Sequence, residues 1–234
     1  EELLHQAVMT ENFLKSYRFN NLSVGIASPL MLYFTGLIDK FKELHPSIRL
    51  SVREGPSMRL VEELLDFKLD VCLIGVLFPY NKRIRLYRIP TDEPLVFLAS
   101  PEYPLPCDTP MKWIELSSHP LIIQPEGSAS RAIVLHHFMK RGLEPVIGAE
   151  VDNIELAKEL VRQQKGVALM FEPNVREEVA RGGLRMIRVE DGEIKMGAID
   201  VVINREVRQS PSTEAFLMTI KECFGDRVHE MPPQ

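Results

Sequence analysis

The sequence has little with which to grip a polyanion, close a disulfide or cross a membrane, and each shortage narrows its role. Basic residues are outnumbered, 28 against 33 acidic ones, for a formal net charge of -5, so the basic footprint of a nucleic-acid-binding surface is missing. No apolar run approaches the ~20 residues that a membrane-spanning helix needs. The cysteines are few, odd in number and far apart (Cys72, Cys107 and Cys223), which fits neither a disulfide framework nor a zinc site. Cys72 lies inside the apolar run 71–74 and reads as a small buried hydrophobe. Nothing beside it signals the electropositive setting of a reactive thiol. Such cysteine usage suits a reducing cytoplasm. Residues 1–5 show no secretory signal, although a mature exported chain would have lost one.

Catalytic signatures are short as well. There is no G-x-S-x-G elbow, no P-loop and no G-x-G-x-x-G after a strand. His136 and His137 are adjacent, so on a helix they point apart and make a poor metal pair. His5, His45, His119 and His229 stand alone at helix or loop positions that suit surface or capping roles. Glu126, Asp152 and Glu172 come where a cleft could lie, but capping or surface roles explain them equally. The expectation is therefore no catalytic set, no metal and no cofactor: not an enzyme.

What the sequence does have is a repeating α/β grammar, over a length of 234 residues that allows one large domain or two small ones. Residues 1–18 read as a helix, with Leu4, Ala7 or Val8, Glu11 and Leu14 on a rough stripe and no cap residue, as in a piece of something longer. Residues 22–26 read as a strand that turns at Ser28-Pro29 into a helix, with serine as cap and proline at the first helical position. That helix carries Leu30, Phe34, Leu37, Ile38, Phe41 and Leu44 on one face and stops at His45-Pro46. Ile48, Leu50 and Val52 alternate with polar residues as a strand with one wet face. A second helix follows Gly55-Pro56-Ser57, then the buried strand 71–74. This β-α-β-α-β order predicts an open parallel sheet.

The strand 95–99 precedes a proline-rich stretch from 101 to 110, the expected domain boundary. The same grammar then resumes. Strands are expected at 120–123, 146–151, 167–170, 184–189 and 197–204. Helices are expected after Ser128, after Asp152, from Pro173-Asn174 and after Ser210-Pro211. Asp152 and Glu155 have capping-box spacing. Two α/β lobes joined by two crossing strands form the simplest architecture consistent with this order.

In open α/β sheets, ligands bind beyond the carboxyl ends of the strands. That rule picks out the loops at Ser28-Pro29, Gly55-Pro56-Ser57, Gly127-Ser128-Ala129-Ser130 and Asp152-Asn153. Three place serine at a helix start, where unpaired N–H groups and the positive dipole end suit an anion. The plainer reading is that these serines only cap helices. Arg131, near one such start, reads equally as an anion partner or as a solvated surface charge.

Taken in order, these segments resemble the effector-binding domain of LysR-type transcriptional regulators. The run at residues 22–29 is similar to the family's first strand and ligand loop, and 41–50 to its "F…hP.v.l" segment. Arg53-Glu54-Gly55 with 64–74 matches its "reG…Ll….lDlai" stretch, 93–101 its first hinge strand, and 161–170 its "V..g.Gia.lp" signature. The resemblance covers residues 1 to about 226. It departs at Met170-Phe171-Glu172-Pro173, which puts bulk and a carboxylate beside the expected pocket, and at Lys165.

The resemblance implies a cytoplasmic α/β protein of two Rossmann-like lobes joined by two crossover strands, like type 2 periplasmic binding proteins. Residues 1–20 would end a linker and dimerisation helix, 21–99 with 204–234 would form lobe I, and 100–203 lobe II. A small effector, an organic acid or other small polar metabolite, is expected in the cleft between lobes. The residues expected to meet it are Ser28, Pro29, Ser57, Met58, Phe97, Ser100, Ser128, Ala129, Ser130, Asp152, Asn153 and Glu172. The resemblance also implies a homodimer or tetramer that reaches DNA only through an N-terminal winged helix-turn-helix outside this chain, and no membrane. The same fold allows two alternatives: a solute-binding protein of a transporter, or a small dehydratase or deaminase.

Overall fold

Residues 21–75 fold in the expected β-α-β-α-β order in the computed structural model of the chain, which describes Ala7, Thr10 and residues 20–76, 82–105 and 110–232. Apart from those isolated positions and Asn20, the expected linker helix lies outside the described residues, as does Cys107. The chain divides into two compact units, Glu1–Thr91 with Ala198–Gln234, and Asp92–Gly197. It passes between them within two long strands, β4 (Ile84–Ala99) and β9 (Ile194–Asn204). Each unit is α/β, and the two crossing strands are those the sequence grammar requires.

In the first unit, β1 (Asn21–Ala27), β2 (Arg49–Gly55) and β3 (Val71–Gly75) run parallel with β1 in the middle. β9 joins antiparallel to β3, β4 lies beside β9, and the short β10 (His229–Glu230) pairs with β4. β3 is buried throughout, which is why it reads as a continuous apolar run rather than an alternating one. Helices α1 (Thr35–Leu44), α2 (Ser57–Leu65) and α7 (Pro211–Phe224) bury one stripe each. Phe41 of α1 meets Phe216 of α7 edge-to-face at 5.1 Å, a geometry that aromatic pairs favour. Cys72 is buried; its thiol donates to the carbonyl of Leu60 at 3.4 Å, and burial pushes its pKa far upward.

Two local expectations give way here. Helix does not begin at Ser28: two tight 3-10 turns, Ser28–Leu30 and Leu32–Phe34, come first, and the cap position is Ala27. Leu30 and Phe34 are buried in the core all the same. β2 also lacks a buried face. It is an edge strand among the described residues, with Val52 37% exposed.

Asp70 ties the entry of β3 to β1. Its backbone N–H donates to the carbonyl of Ser23 at 2.8 Å, and its Oδ2 accepts from the Ser23 N–H at 2.7 Å. Burial pushes the carboxyl up to about 6, with the Ser23 N–H pulling the other way. Between the crossing strands, Asp200 of β9 accepts from both Nε and Nη2 of Arg88 on β4 at 2.8 and 2.9 Å.

In the second unit, β5 (Leu121–Ile123), β6 (Ile147–Glu150) and β7 (Val167–Phe171) are parallel with β5 central. β4 runs antiparallel to β7 and also carries β8 (Arg185–Ile187). The helices are α3 (Trp113–Leu116), α4 (Ala129–Met139), α5 (Ile154–Arg162) and α6 (Arg176–Ala180). Val161 and Ala157 of α5 pack with Leu98, Ile122, Ala168, Met170, Val175 and Leu184. Gly166 enters β7 where its N-terminal neighbour strand comes close: a Cβ there would stand 2.2 Å from the Pro120 carbonyl oxygen. Only glycine fits.

The first half of β4 is absent from the sequence reading because Pro90 and Pro94 punctuate it. Proline is tolerated in a strand wherever its missing N–H is not needed by the ladder.

The Asp70 shift has a testable sign. A carboxyl raised in the folded state, from about 3.8 to about 6, lends stability that is fully present below the lower value and is lost as pH rises through the higher one. Denaturant unfolding of the wild type and of Asp70→Asn across pH 3 to 7 should therefore show a stability gap that changes with pH, and the variant should lack the wild type's loss, most of which falls between about pH 4 and 6.

Candidate functional site

β1 and β2 are in register with Ala27 opposite Gly55. The residues that follow them, Ser28 and Ser57, therefore leave the sheet at one edge of the first unit. Both are buried, and neither hydroxyl caps its helix. Pro29 holds the second position of the first 3-10 turn, while Met58 on α2 is more than half exposed.

The second unit repeats the arrangement. β5 pairs with β6 through Ile123 and Glu150, and with β7 through Leu121 and Val167. Three parallel strands thus end at one edge, where Gln124 to Ser130, Asp152-Asn153 and Glu172 follow them. Ser128 holds the cap position of α4, with Ala129 and Ser130 buried in its first turn, yet its hydroxyl makes no capping bond. It lies 2.9 Å from the Ser130 hydroxyl, and Ser130 donates to Gln124 Oε1 at 3.1 Å. Gln124 Nε2 donates to the carbonyl of Leu169 on β7 at 3.4 Å.

Arg131 belongs to the same edge and is already engaged. Its Nη1 donates to the Gln124 carbonyl at 2.9 Å and to Glu150 Oε2 at 2.6 Å. Its role is to brace the loop from inside the unit. Gln124 and Glu150 went unnoticed in the sequence, where the one available signal was a polar side chain directly after the buried strand 121–123.

At α5 the cap is Asn153, not Asp152. Asn153 Oδ1 accepts from the N–H of Leu156 at 2.8 Å, and Asp152 is exposed one residue ahead. The expected capping box does not form, because a cap at Asn153 puts Leu156, not Glu155, at the third helical position. Glu155 pairs instead with Lys158 Nζ at 2.7 Å. Glu172 starts a 3-10 turn and pairs with Arg176 Nε at 3.3 Å, so its charge is partly offset where it stands.

Ser100 and Phe97 are not brought to this edge. β4 runs antiparallel to β7, with Leu95 opposite Phe171 at the carboxyl end of β7 and Leu98 opposite Ala168 near its start. Ser100 therefore lies at the far end of the ladder, ~17 Å from Leu95 at a strand's rise per residue. Its hydroxyl donates to Glu102 Oε2 at 2.6 Å. Phe97 is 1% exposed and packs edge-to-face on Trp113 at 5.8 Å.

Chemically, each edge offers polar side chains beside the first turn of a helix, whose leading N–H groups have no carbonyl partner within the helix. Such a start receives a carboxylate or a similar small anion. Among the described residues no three His, Cys, Asp or Glu side chains stand close enough to hold a metal ion.

The LysR substrate binding domain family matches residues 19–224. The RuBisCO operon transcriptional regulator of Allochromatium vinosum is 26% identical over 203 residues, covering 87% of this chain and 66% of that protein. The chain thus spans just under two thirds of that relative's length. Among solved structures, the Synechocystis PCC6803 CcmR regulatory domain in complex with 2-PG is similar at a TM-score of 0.76 and 19% identity, covering 88% of this chain and 98% of that one. The effector binding domain of QuiR in complex with shikimate is similar at 0.75 and 17%, covering 87% and 96%. These likenesses establish the fold.

The corrected cap is open to direct measurement. Asn153→Ala should cost about 1 kcal/mol in denaturant unfolding, whereas Asp152→Ala should stay within about 0.5 kcal/mol of the wild type.

Proposed function

This chain belongs to the LysR substrate binding domain family, and on that footing we propose that it is the effector-sensing part of a LysR-type transcription regulator. A small organic acid or other small polar metabolite binds at the carboxyl edges of its parallel strands. The observation that carries this reading is the start of α4, where Ser128 holds the cap position and spends no hydroxyl on capping. The first-turn N–H groups and the Ser128 oxygen are then left for a ligand. Ser28 and Ser57, with Pro29 and Met58, supply the equivalent edge of the other unit, while Ala129, Ser130, Asp152, Asn153 and Glu172 belong with Ser128.

The two compact units act as the regulatory lobes, and residues 1–20 as the end of a dimerisation helix. DNA is contacted by an N-terminal winged helix-turn-helix outside this chain, in keeping with the net charge of -5. The protein works in the cytoplasm as a receptor, not as an enzyme. A bound effector shifts the equilibrium between conformations of the regulator, and about 1–3 kcal/mol of coupling suffices to change how the DNA-binding domains engage an operator.

The regulator acts as a homo-oligomer. Two strands at the ends of the sheet order, uncovered by the described residues, support this: β2, with Val52, and β6, with Ile147. An unpaired apolar edge is a surface that proteins normally cover. The paired substitution Val52→Lys, Ile147→Lys should shift sedimentation toward the monomer; unchanged association would place the interface elsewhere.

Thermal unfolding of the full-length regulator against a panel of small acids tests the site. A true effector at about 100 times its Kd should add about 2.7 kcal/mol of stability. Ser128→Trp and Ser57→Trp should each abolish that gain, and a gain that survives both would remove these edges from the binding role.

A further inference from the structure

Gln124 is 7% exposed, and a polar side chain that deep in a fold must find partners. The contact from its Nε2 to the Leu169 carbonyl settles which end of the amide faces β7, because a carbonyl can only accept. Its Oε1 is therefore turned to Ser130 as an acceptor, and the Ser130 proton is spent there. A serine has one proton. In the 2.9 Å contact between the two hydroxyls the donor must accordingly be Ser128. Its proton is spent as well, and since the hydroxyl does not cap α4, only lone pairs remain to meet a ligand.

We propose that this relay, from Leu169 through Gln124 and Ser130, makes Ser128 an obligate hydrogen-bond acceptor and so selects hydroxy acids as the effector class. The inference rests on the effector site proposed above. The acid group of the ligand takes the N–H groups of the first turn of α4, and its hydroxyl donates to Ser128 Oγ. An ammonium donor is disfavoured at this place, because the helix start carries positive partial charge and the Arg131 guanidinium stands beside it. Gln124 is a positioning residue: it acts on the ligand only by fixing the direction of the two serine protons.

Backbone amide spectra of the full-length regulator, titrated separately with glycolate, acetate and methoxyacetate, read this directly. Glycolate and acetate differ by one hydroxyl. The wild type should bind glycolate about five- to tenfold more tightly than acetate, the value of one good hydrogen bond, with both acids moving the amides of Ala129 and Ser130. Ser130→Ala frees the Ser128 proton to point at the ligand, and Gln124→Met frees it through Ser130. Each variant lets Ser128 donate as well as accept, so methoxyacetate, whose ether oxygen can only accept, should bind each variant about five- to tenfold more tightly than it binds the wild type, while acetate shifts the same amides equally in all three. Equal affinity for glycolate and acetate in the wild type, or methoxyacetate bound no more tightly by Ser130→Ala than by the wild type, would overturn the relay and leave the site standing. No shift at the α4 amides with glycolate or acetate would overturn the site itself.

Discussion

A wholly buried carboxylate, Asp200, sits on β9 just after that strand enters the first unit, and both its oxygens are taken by Arg88 on β4. Moving a carboxylate out of water is tolerable only when it is paired and hydrogen-bonded. The pair therefore constrains the two strands that carry the chain between the units to lie together, in one register. β3 builds on β9 in the first unit, and β7 and β8 build on β4 in the second. The connectivity of both sheets follows from those two strands.

From this frame comes the placement of the candidate site. In each unit the parallel strands end at one edge, so loops far apart in sequence arrive together: Ser28 with Ser57, and Gln124, Ser128 and Ser130 with Asn153 and Glu172. The crossing strand β4 runs against β7. Its carboxyl end, and Ser100 with it, emerges at the other edge. The family resemblance, not the carboxyl-end rule, places Ser100 among the ligand contacts, and the antiparallel run of β4 carries it away from the edge where the parallel strands end.

Polar groups at the second edge are committed before any ligand arrives. Arg131 braces Glu150 and the Gln124 carbonyl, Glu172 leans on Arg176, and Asn153 spends its oxygen on capping α5. This order fixes the side chains around the start of α4 and leaves the first-turn N–H groups without a partner within the helix.

Much of the architecture was legible in the sequence because its signals are local. The apolar run at β3, the stop at His45-Pro46, the Ser210 cap whose oxygen accepts from the Thr213 N–H, and the family motifs each depend on a few neighbouring residues. Local physics (periodicity, caps and proline) determines such elements by itself. The early part of β4 was hidden by Pro90 and Pro94, and the α5 cap was misplaced by one residue, since Asp152 and Asn153 have nearly equal capping preference. Only the tertiary structure decided the direction of β4 against β7, the exposure of β2 and the partners of Gln124 and Arg131. Those depend on which strands lie side by side, and strand pairing is a contact between distant segments that no local preference encodes.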